Sequence, residues 1–227
     1  MTTTAIVTGA GTGFGLALTH ALSARGAAVI ACSRDAGRLR AAVAGLPGVL
    51  AVPGDVNDPA DRTAIIGAAD RIDLLVHNAG ELGPSPLPRL ADYPPEALRE
   101  VLETTLLAPL ALTQLALPSL RAAAGTVVTL SSDAAVEAYG GWGGYGAAKA
   151  ALDQLAAVLA VEEPDLAVYA FDPGDMRTDM HQRAFPGDDI SDRPEPQAVV
   201  PAFLRLLDTR PPSGRYRAAD LLAGSAA

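Results

Sequence analysis

Six short runs that are apolar on both faces recur along this chain, and they constrain its fold more than any other feature. Residues 4–8, 28–31, 49–52, 74–76, 126–130 and 167–170 lack the alternation of a strand with one face in water. Strands covered on both sides read this way, and they belong to parallel sheets. Helix-like segments fall between them, near 15–23, 34–44, 59–69, 94–117 and 145–161. Strand–helix alternation predicts an α/β fold: a doubly wound parallel sheet with helices on both faces. The chain has 227 residues and is 49% hydrophobic, enough for one full core, so a single domain over 1–227 is expected. Residues 181–196 break the pattern with Pro186, Gly187, Asp188, Asp189, Asp192, Pro194 and Pro196. They read as a mobile loop, with or without a short helix, and as a substrate-loop insertion near 180–197 that covers a pocket beyond the strand ends.

Charge and cysteine content narrow the setting. The formal net charge is −9, which repels phosphate backbones and argues against nucleic acid as a partner. Cys32 is the one cysteine, so no internal disulfide can form, and a reducing compartment suits the chain. No basic region followed by a long apolar stretch opens the sequence, and a cytoplasmic location is expected. Residues 104–120 carry no charge but include Pro109, Thr113, Gln114 and Pro118. That stretch is shorter than the roughly 20 residues that span a bilayer, so it reads as a buried or interface helix, with no membrane partner.

The first apolar run leads directly into Gly9, Gly11, Gly13 and Gly15 and then into a helix pattern. A turn this tight needs unusual dihedrals, and side chains there would keep a pyrophosphate from the backbone. The following helix N-terminus offers free N–H groups and a partial positive charge, so the turn predicts a dinucleotide site. An acidic residue ending the second strand would favour NAD, but this chain has Cys32, Ser33 and Arg34 there. Arg34 can fork onto a 2′-phosphate and Ser33 can donate to it. NADP(H) is therefore the expected cofactor, with NAD(H) the alternative, Asp35 being adjacent. No metal is expected.

With these motifs in order, the chain resembles the short-chain dehydrogenase/reductase family, whose fold is the Rossmann fold. Thr8, Gly9, Gly13, Phe14 and Gly15, with Thr12 inside the turn, match its TGxxxGxG motif. Asp55-Val56 matches its adenine-contacting pair, and Asn78-Ala79-Gly80 its NAG motif. Ser132 stands thirteen residues before Tyr145, and Tyr145 with Lys149 forms YxxxK. Pro173, Gly174 and Thr178 match the loop that grips the nicotinamide end, and Met176 between them is grouped with it. The chain departs from the pattern twice. His77 replaces the Asn that often precedes NAG, where a packing or hydrogen-bonding role is expected. Thr105 stands where the resemblance places a catalytic Asn that kinks its helix and holds a water in a proton relay.

The residues make chemical sense without the family. Ser131 and Ser132 end the fifth strand, on the side where open α/β sheets place ligands, with Ser131 expected to point away. Tyr145 and Lys149, four apart, share one helix face. A lysine cation about 4 Å from a phenol is worth about 4 kcal/mol at an effective dielectric of about 20. That is about three pKa units, enough, with the aid of a positively charged nicotinamide and less whatever desolvation opposes, to bring a tyrosine near working pH. In this scheme Tyr145 is the general acid/base, Ser132 fixes the reacting oxygen, and Lys149 also reaches the nicotinamide ribose, as the resemblance implies. Thr105 is the fourth candidate. The expected activity is NADP(H)-preferring interconversion of a small-molecule carbonyl and alcohol. The alternatives are an enzyme of this fold with no net redox change, such as an epimerase, dehydratase or isomerase, and a non-catalytic dinucleotide-binding regulator. The substrate pocket is expected near 81–89, 133–142 and 175–185. There Leu82, Val136, Tyr139, Trp142, Met176 and Phe185 suit an apolar or aromatic guest, and His181 and Arg183 are weaker candidates for an anionic group. The segments 104–120 and 147–161 show almost no polar stripe, which predicts a homodimer or homotetramer.

Overall fold

The computed structural model describes residues 3–223. Seven strands form one wholly parallel sheet: β1 (Thr4–Thr8), β2 (Ala28–Ser33), β3 (Val49–Pro53), β4 (Leu74–His77), β5 (Thr126–Leu130), β6 (Ala167–Asp172) and β7 (Gly214–Arg217). Nine α-helices connect or flank them among the described residues: α1 (Gly13–Ala24), α2 (Ala36–Ala42), α3 (Pro59–Gly67), α4 (Pro95–Leu102), α5 (Ala108–Ala123), α6 (Gly143–Glu162), α7 (Asp179–Ala184), α8 (Pro196–Thr209) and α9 (Ala218–Ala223). The spatial order β3-β2-β1-β4-β5-β6-β7 reverses direction between β1 and β4. That reversal opens a crevice at the carboxyl ends of the strands, which is where sheets of this kind bind ligands.

Successive strand residues feed two separate cores, one on each face, as a period of two requires. Ala5 and Val7 of β1 join Leu18 and Leu22 of α1, Leu39 of α2 and Leu206 of α8. Ile6 faces the other way, toward Ile65 of α3, Leu112 and Leu120 of α5 and Leu159 of α6. Phe14, Phe171 and Phe203 interlock on the first face, with ring centroids 5.2–5.9 Å apart. This triad ties the start of α1 to the end of β6 directly beneath the crevice.

The six expected strands are present, and the fold adds a seventh. The chain after Pro196 had given no strand or helix expectation, yet it forms α8, β7 and α9. The single helix expected over 94–117 is instead α4 and α5 joined by a wide π-turn at Glu103–Leu107. Together they span Pro95–Ala123, long and apolar enough to cross a membrane by length and composition. Here Ala108, Leu112, Ala116 and Leu120 are buried against the sheet. The segment 181–196 opens on the second half of α7, which Thr178 caps by accepting from the His181 N–H at 3.1 Å. The rest of it is a loop pinned to the strand-end loop before it, where Arg177 N–H donates to Pro194 O at 2.9 Å.

Candidate active site

The glycine turn after β1 is held by the end of β4. Thr8 Oγ1 accepts from Asn78 N and Ala79 N at 3.1 and 3.0 Å. Asn78 Nδ2 donates back to Thr8 O and Gly9 O at 2.9 and 3.1 Å. Two sequence motifs some seventy residues apart thus close one seam at the topological reversal. Gly9 (φ +67) and Gly13 (φ +54) sit in the left-handed region, which explains glycine at both. Gly15 has another reason: a Cβ there would lie 2.4 Å from Asn78 Nδ2 and 2.5 Å from Gly9 O. It lets α1 lie against the turn and does not itself line the crevice. Gly9, Thr12, Gly13 and Phe14 do line it, facing Asn78, Ala79 and Gly80.

The crevice is a cleft of about 380 Å³. Ser33, Arg34, Asp55 and Val56 close one end, joined by Asp35 and by Arg38, the one of these that the sequence reading missed. Asp35 is spent on α2, whose N-terminus it caps by accepting from Arg38 N at 2.9 Å. Arg34 precedes the cap of α2 and Arg38 sits in its first turn, so the start of that helix brings both to the same corner. The Arg34 side chain is 67% exposed and stands 4.0 Å from Glu81 Oε2, while Glu81 Oε1 accepts from Arg183 at 3.1 Å.

Ser132, Tyr145 and Lys149 meet at the other end. Tyr145 and Lys149 project from one face of α6, and both line the cleft. The Ser132 hydroxyl lies close enough to the Tyr145 phenol to act on it, and it donates to Asp133 Oδ1 at 2.9 Å. Lys149 Nζ donates to Leu130 O at 2.5 Å and lies 5.5 Å from the Tyr145 ring centroid. The expected acidification of the phenol by this ammonium is not what the arrangement produces. Burial of Tyr145 dominates and pushes its phenol well above the ordinary tyrosine value, the Ser132 hydroxyl opposing and Asp133 and Asp172 adding to the rise. Burial acts on Lys149 in the opposite sense, pushing it down to about 8, against the pull of Asp153 and Asp172.

Thr105 lies in the π-turn, fully buried, and its Oγ1 accepts from Glu81 N at 3.3 Å. It lines neither cavity, whereas Thr104 lines the cleft. The helix is therefore kinked at this place with a threonine rather than an asparagine. A Cβ on Gly80 would come 3.8 Å from Lys149 Nζ and 3.9 Å from Thr105 Oγ1, so these three residues surround one point. His77 is a core residue bonded to Thr113 Oγ1 at 2.8 Å. Ser131, expected to point away, borders both cavities, and its hydroxyl donates to Asp153 Oδ2 at 2.7 Å.

A second cavity, about 450 Å³, adjoins the first, and Tyr145, Ser131, Pro173, Met176, Thr178 and Met180 border both. Ser132 and Gly174 line this one. One wall is aromatic, running Tyr145–Trp142–Phe185–His181 with successive centroids 5.7, 5.9 and 4.9 Å apart. Leu82 and Tyr139 join it, while Val136 is exposed and stands apart. The remaining lining includes Asp133, Asp172 and Asp175 and no lysine or arginine. Arg183 is turned to Glu81 and Gly83 O, so it offers no anion site here.

The first cavity suits an extended ligand with a phosphate at its waist. α1 starts at Thr12 without a side-chain cap and without an acid in its first turn, leaving its N–H groups directed at the cleft. A family model described as short chain dehydrogenase matches residues 3–189. L-fucose dehydrogenase from Bos taurus is 30% identical over 201 residues, covering 86% of this chain and 72% of that protein. Sepiapterin reductase from Meriones unguiculatus is 33% identical over 199 residues, covering 79% and 76%. Among solved structures, a short chain dehydrogenase from Shigella flexneri complexed with NADP superposes with a TM-score of 0.87 at 28% identity, over 96% of this chain and 97% of that one. With the parallel sheet, the glycine seam and the Ser132–Tyr145–Lys149 cluster in place, this chain belongs to the short-chain dehydrogenase family of oxidoreductases.

Proposed function

We propose that the protein is an NADP(H)-preferring oxidoreductase that interconverts a carbonyl and an alcohol, with Tyr145 as the general acid/base. One observation carries this reading: Tyr145 borders both cavities, with Ser132 beside it in the second and Lys149 a turn behind. The α1 N-terminus would hold the pyrophosphate, Asp55 and Val56 the adenine, Arg34, Arg38 and Ser33 the 2′-phosphate, and Lys149 the nicotinamide ribose. When bound, the dinucleotide supplies hydride chemistry, which the protein orients.

The protein's own part is proton transfer and placement. A phenol raised by burial keeps its proton at neutral pH and gives it up only to a stronger base, such as the alkoxide that develops during carbonyl reduction. This favours reduction as the working direction. Ser132 fixes the same oxygen so that donor and acceptor meet. The aromatic wall, with Asp133 beside it and Asp172 and Asp175 paired to Arg215 and Arg193, favours aryl carbonyls that are neutral or cationic over anionic ones. Leu107, Leu110 and Leu115 near α5, with Val158 and Val161 on α6, are exposed and apolar, which supports a homodimer or homotetramer built on these helices. A monomeric mass by light scattering at micromolar concentration would remove that part.

The test is NADPH oxidation, followed by nicotinamide absorbance, over a panel of neutral, cationic and anionic aryl ketones. Turnover is expected, poorest with the anionic members, and Tyr145→Phe should lose about 10²–10⁴-fold in kcat. A Tyr145→Phe protein with full activity, or substrate conversion without net cofactor consumption, overturns the reading.

A further inference from the structure

Behind Ser132 lies an ion cluster that the proposed chemistry does not use. Arg215 of β7 reaches under the carboxyl end of the sheet. Its Nη2 donates to Asp172 Oδ2 at 2.8 Å and to Ser132 O at 2.9 Å. Its Nε donates to Asp153 Oδ2 at 3.2 Å and Ser131 Oγ at 3.3 Å. One guanidinium thus binds β5 through the backbone of the site serine, β6 through Asp172 and α6 through Asp153. Asp172 and Asp153 are both well buried, at 4% and 15% side-chain exposure. Asp153 stands one helical turn beyond Lys149, and both carboxylates act on that ammonium. The charges around Lys149 come from three elements: Asp153 on α6, Asp172 on β6 and Arg215 on β7. Lys149 Nζ also donates to Leu130 O at 2.5 Å, with Tyr145 and Gly80 beside it. With Lys149 protonated, two cations face two anions and the cluster is neutral.

We propose that Arg215 is a positioning residue for the reaction at Tyr145, holding the Ser132 carbonyl in place and balancing the two carboxylates that face Lys149. The geometry gives it two separable effects. Losing the Nη2–Ser132 bond lets the serine drift from the Tyr145 hydroxyl, and small misplacements of this kind are costly to turnover. Losing the positive charge leaves Asp153 and Asp172 acting unopposed on Lys149, which holds its proton more tightly. Arg215 lines neither cavity, so neither effect requires contact with cofactor or substrate.

The sequence offers an unusually direct readout, because Lys149 is the chain's single lysine among 17 basic residues. Protein grown with carbon-13-labelled lysine gives one ε-carbon resonance, and its pH titration reports Lys149 alone. This arm is independent of any substrate and stands even if the carbonyl–alcohol reading fails. The kinetic arm rests on that reading. In Arg215→Met the Lys149 midpoint should rise by about one unit, kcat should fall roughly tenfold, and dinucleotide affinity should hold. Arg215→Lys keeps the charge without the fork and adds a second lysine, whose resonance is assigned by comparison with Arg215→Lys/Lys149→Met; the Lys149 midpoint should return while kcat stays reduced. Asp153→Asn should move the midpoint down instead, a reversal that loosened packing would not produce. If Arg215→Met proves too unstable to titrate, Arg215→Lys and Asp153→Asn decide the matter on their own. A Lys149 midpoint that stays within about 0.3 unit in Asp153→Asn, or moves the same way in every variant, overturns the proposal.

Discussion

In the proposed function cofactor choice rests on Arg34, and removing it should change the balance between the two dinucleotides by a predictable amount. The guanidinium is two-thirds exposed and stands 4.0 Å from Glu81 Oε2. A pair so exposed contributes at most about 1 kcal/mol, and Glu81 keeps Arg183 at 3.1 Å when Arg34 leaves. Charge-assisted bonds from Arg34 to a 2′-phosphate are worth about 1.5–3 kcal/mol. Allowing for release of Glu81, the net preference from Arg34 is about 1.5 kcal/mol, roughly tenfold in Kd. Arg34→Ala should weaken NADPH binding by about that factor and leave NADH, which has no 2′-phosphate, nearly unchanged. Arg38 lines the same corner and is held by an exposed pair with Asp179 at 3.1 Å. The double variant Arg34→Ala/Arg38→Ala should therefore lose about another tenfold. Titrating nicotinamide fluorescence with both cofactors at fixed ionic strength measures the ratio, and raising the salt should shrink the wild-type preference. Equal losses for NADPH and NADH in Arg34→Ala, or a wild-type protein that prefers NADH, would refute the reasoning.

Two further expectations concern stability. Gly15→Ala forces a methyl against Asn78 Nδ2 and Gly9 O, so it should cost about 1–3 kcal/mol and roughly 2–10 °C in Tm. Gly67→Ala, with open space around its Cβ, is the near-neutral control, and equal melting of both variants would show that the seam tolerates the methyl. The second expectation is a pH dependence from His77, which burial pushes down to about 3. Because the folded value lies below the unfolded one of about 6.5, the unfolded chain takes up the proton first as pH falls. His77 therefore adds no penalty above about pH 6.5. It erodes stability between 6.5 and 3, by up to about 1.4 kcal/mol per pH unit. Urea midpoints of His77→Asn should flatten in that window, and an unchanged slope would assign the acid sensitivity elsewhere.

What could be read from the sequence was whatever the chain states locally. β1, β5 and β6 were visible because both faces of each are buried, so their residues are apolar without interruption. The seam of Thr8, Gly9, Gly15 and Asn78 was visible because a close backbone approach and a left-handed turn leave glycine little competition. β7 was invisible for the converse reason. Gly214–Arg217 reads Gly-Arg-Tyr-Arg, an edge strand with partial burial and no apolar run. α8 did carry a signal: Val199, Phe203 and Leu206 lie on one buried helical stripe. Two prolines, Pro196 at the first helical position and Pro201 inside, hid it beside a proline-rich loop.

The same division between local and distant determinants runs through the site. Spacing places Tyr145 and Lys149 on one face, and that much is local. How far each is buried, and what the ammonium donates to, depend on β5, β6 and β7 arriving from elsewhere in the chain. Desolvation raises a phenol and lowers an ammonium, so a shared burial drives the two groups in opposite directions. The outcome suits an acid better than a base. A phenol that keeps its proton serves carbonyl reduction directly. The oxidative direction needs a further positive charge at the mouth of the cleft before Tyr145 can accept a proton. A pH–rate profile that placed the essential ionisation of Tyr145 below neutrality in both directions would contradict that asymmetry.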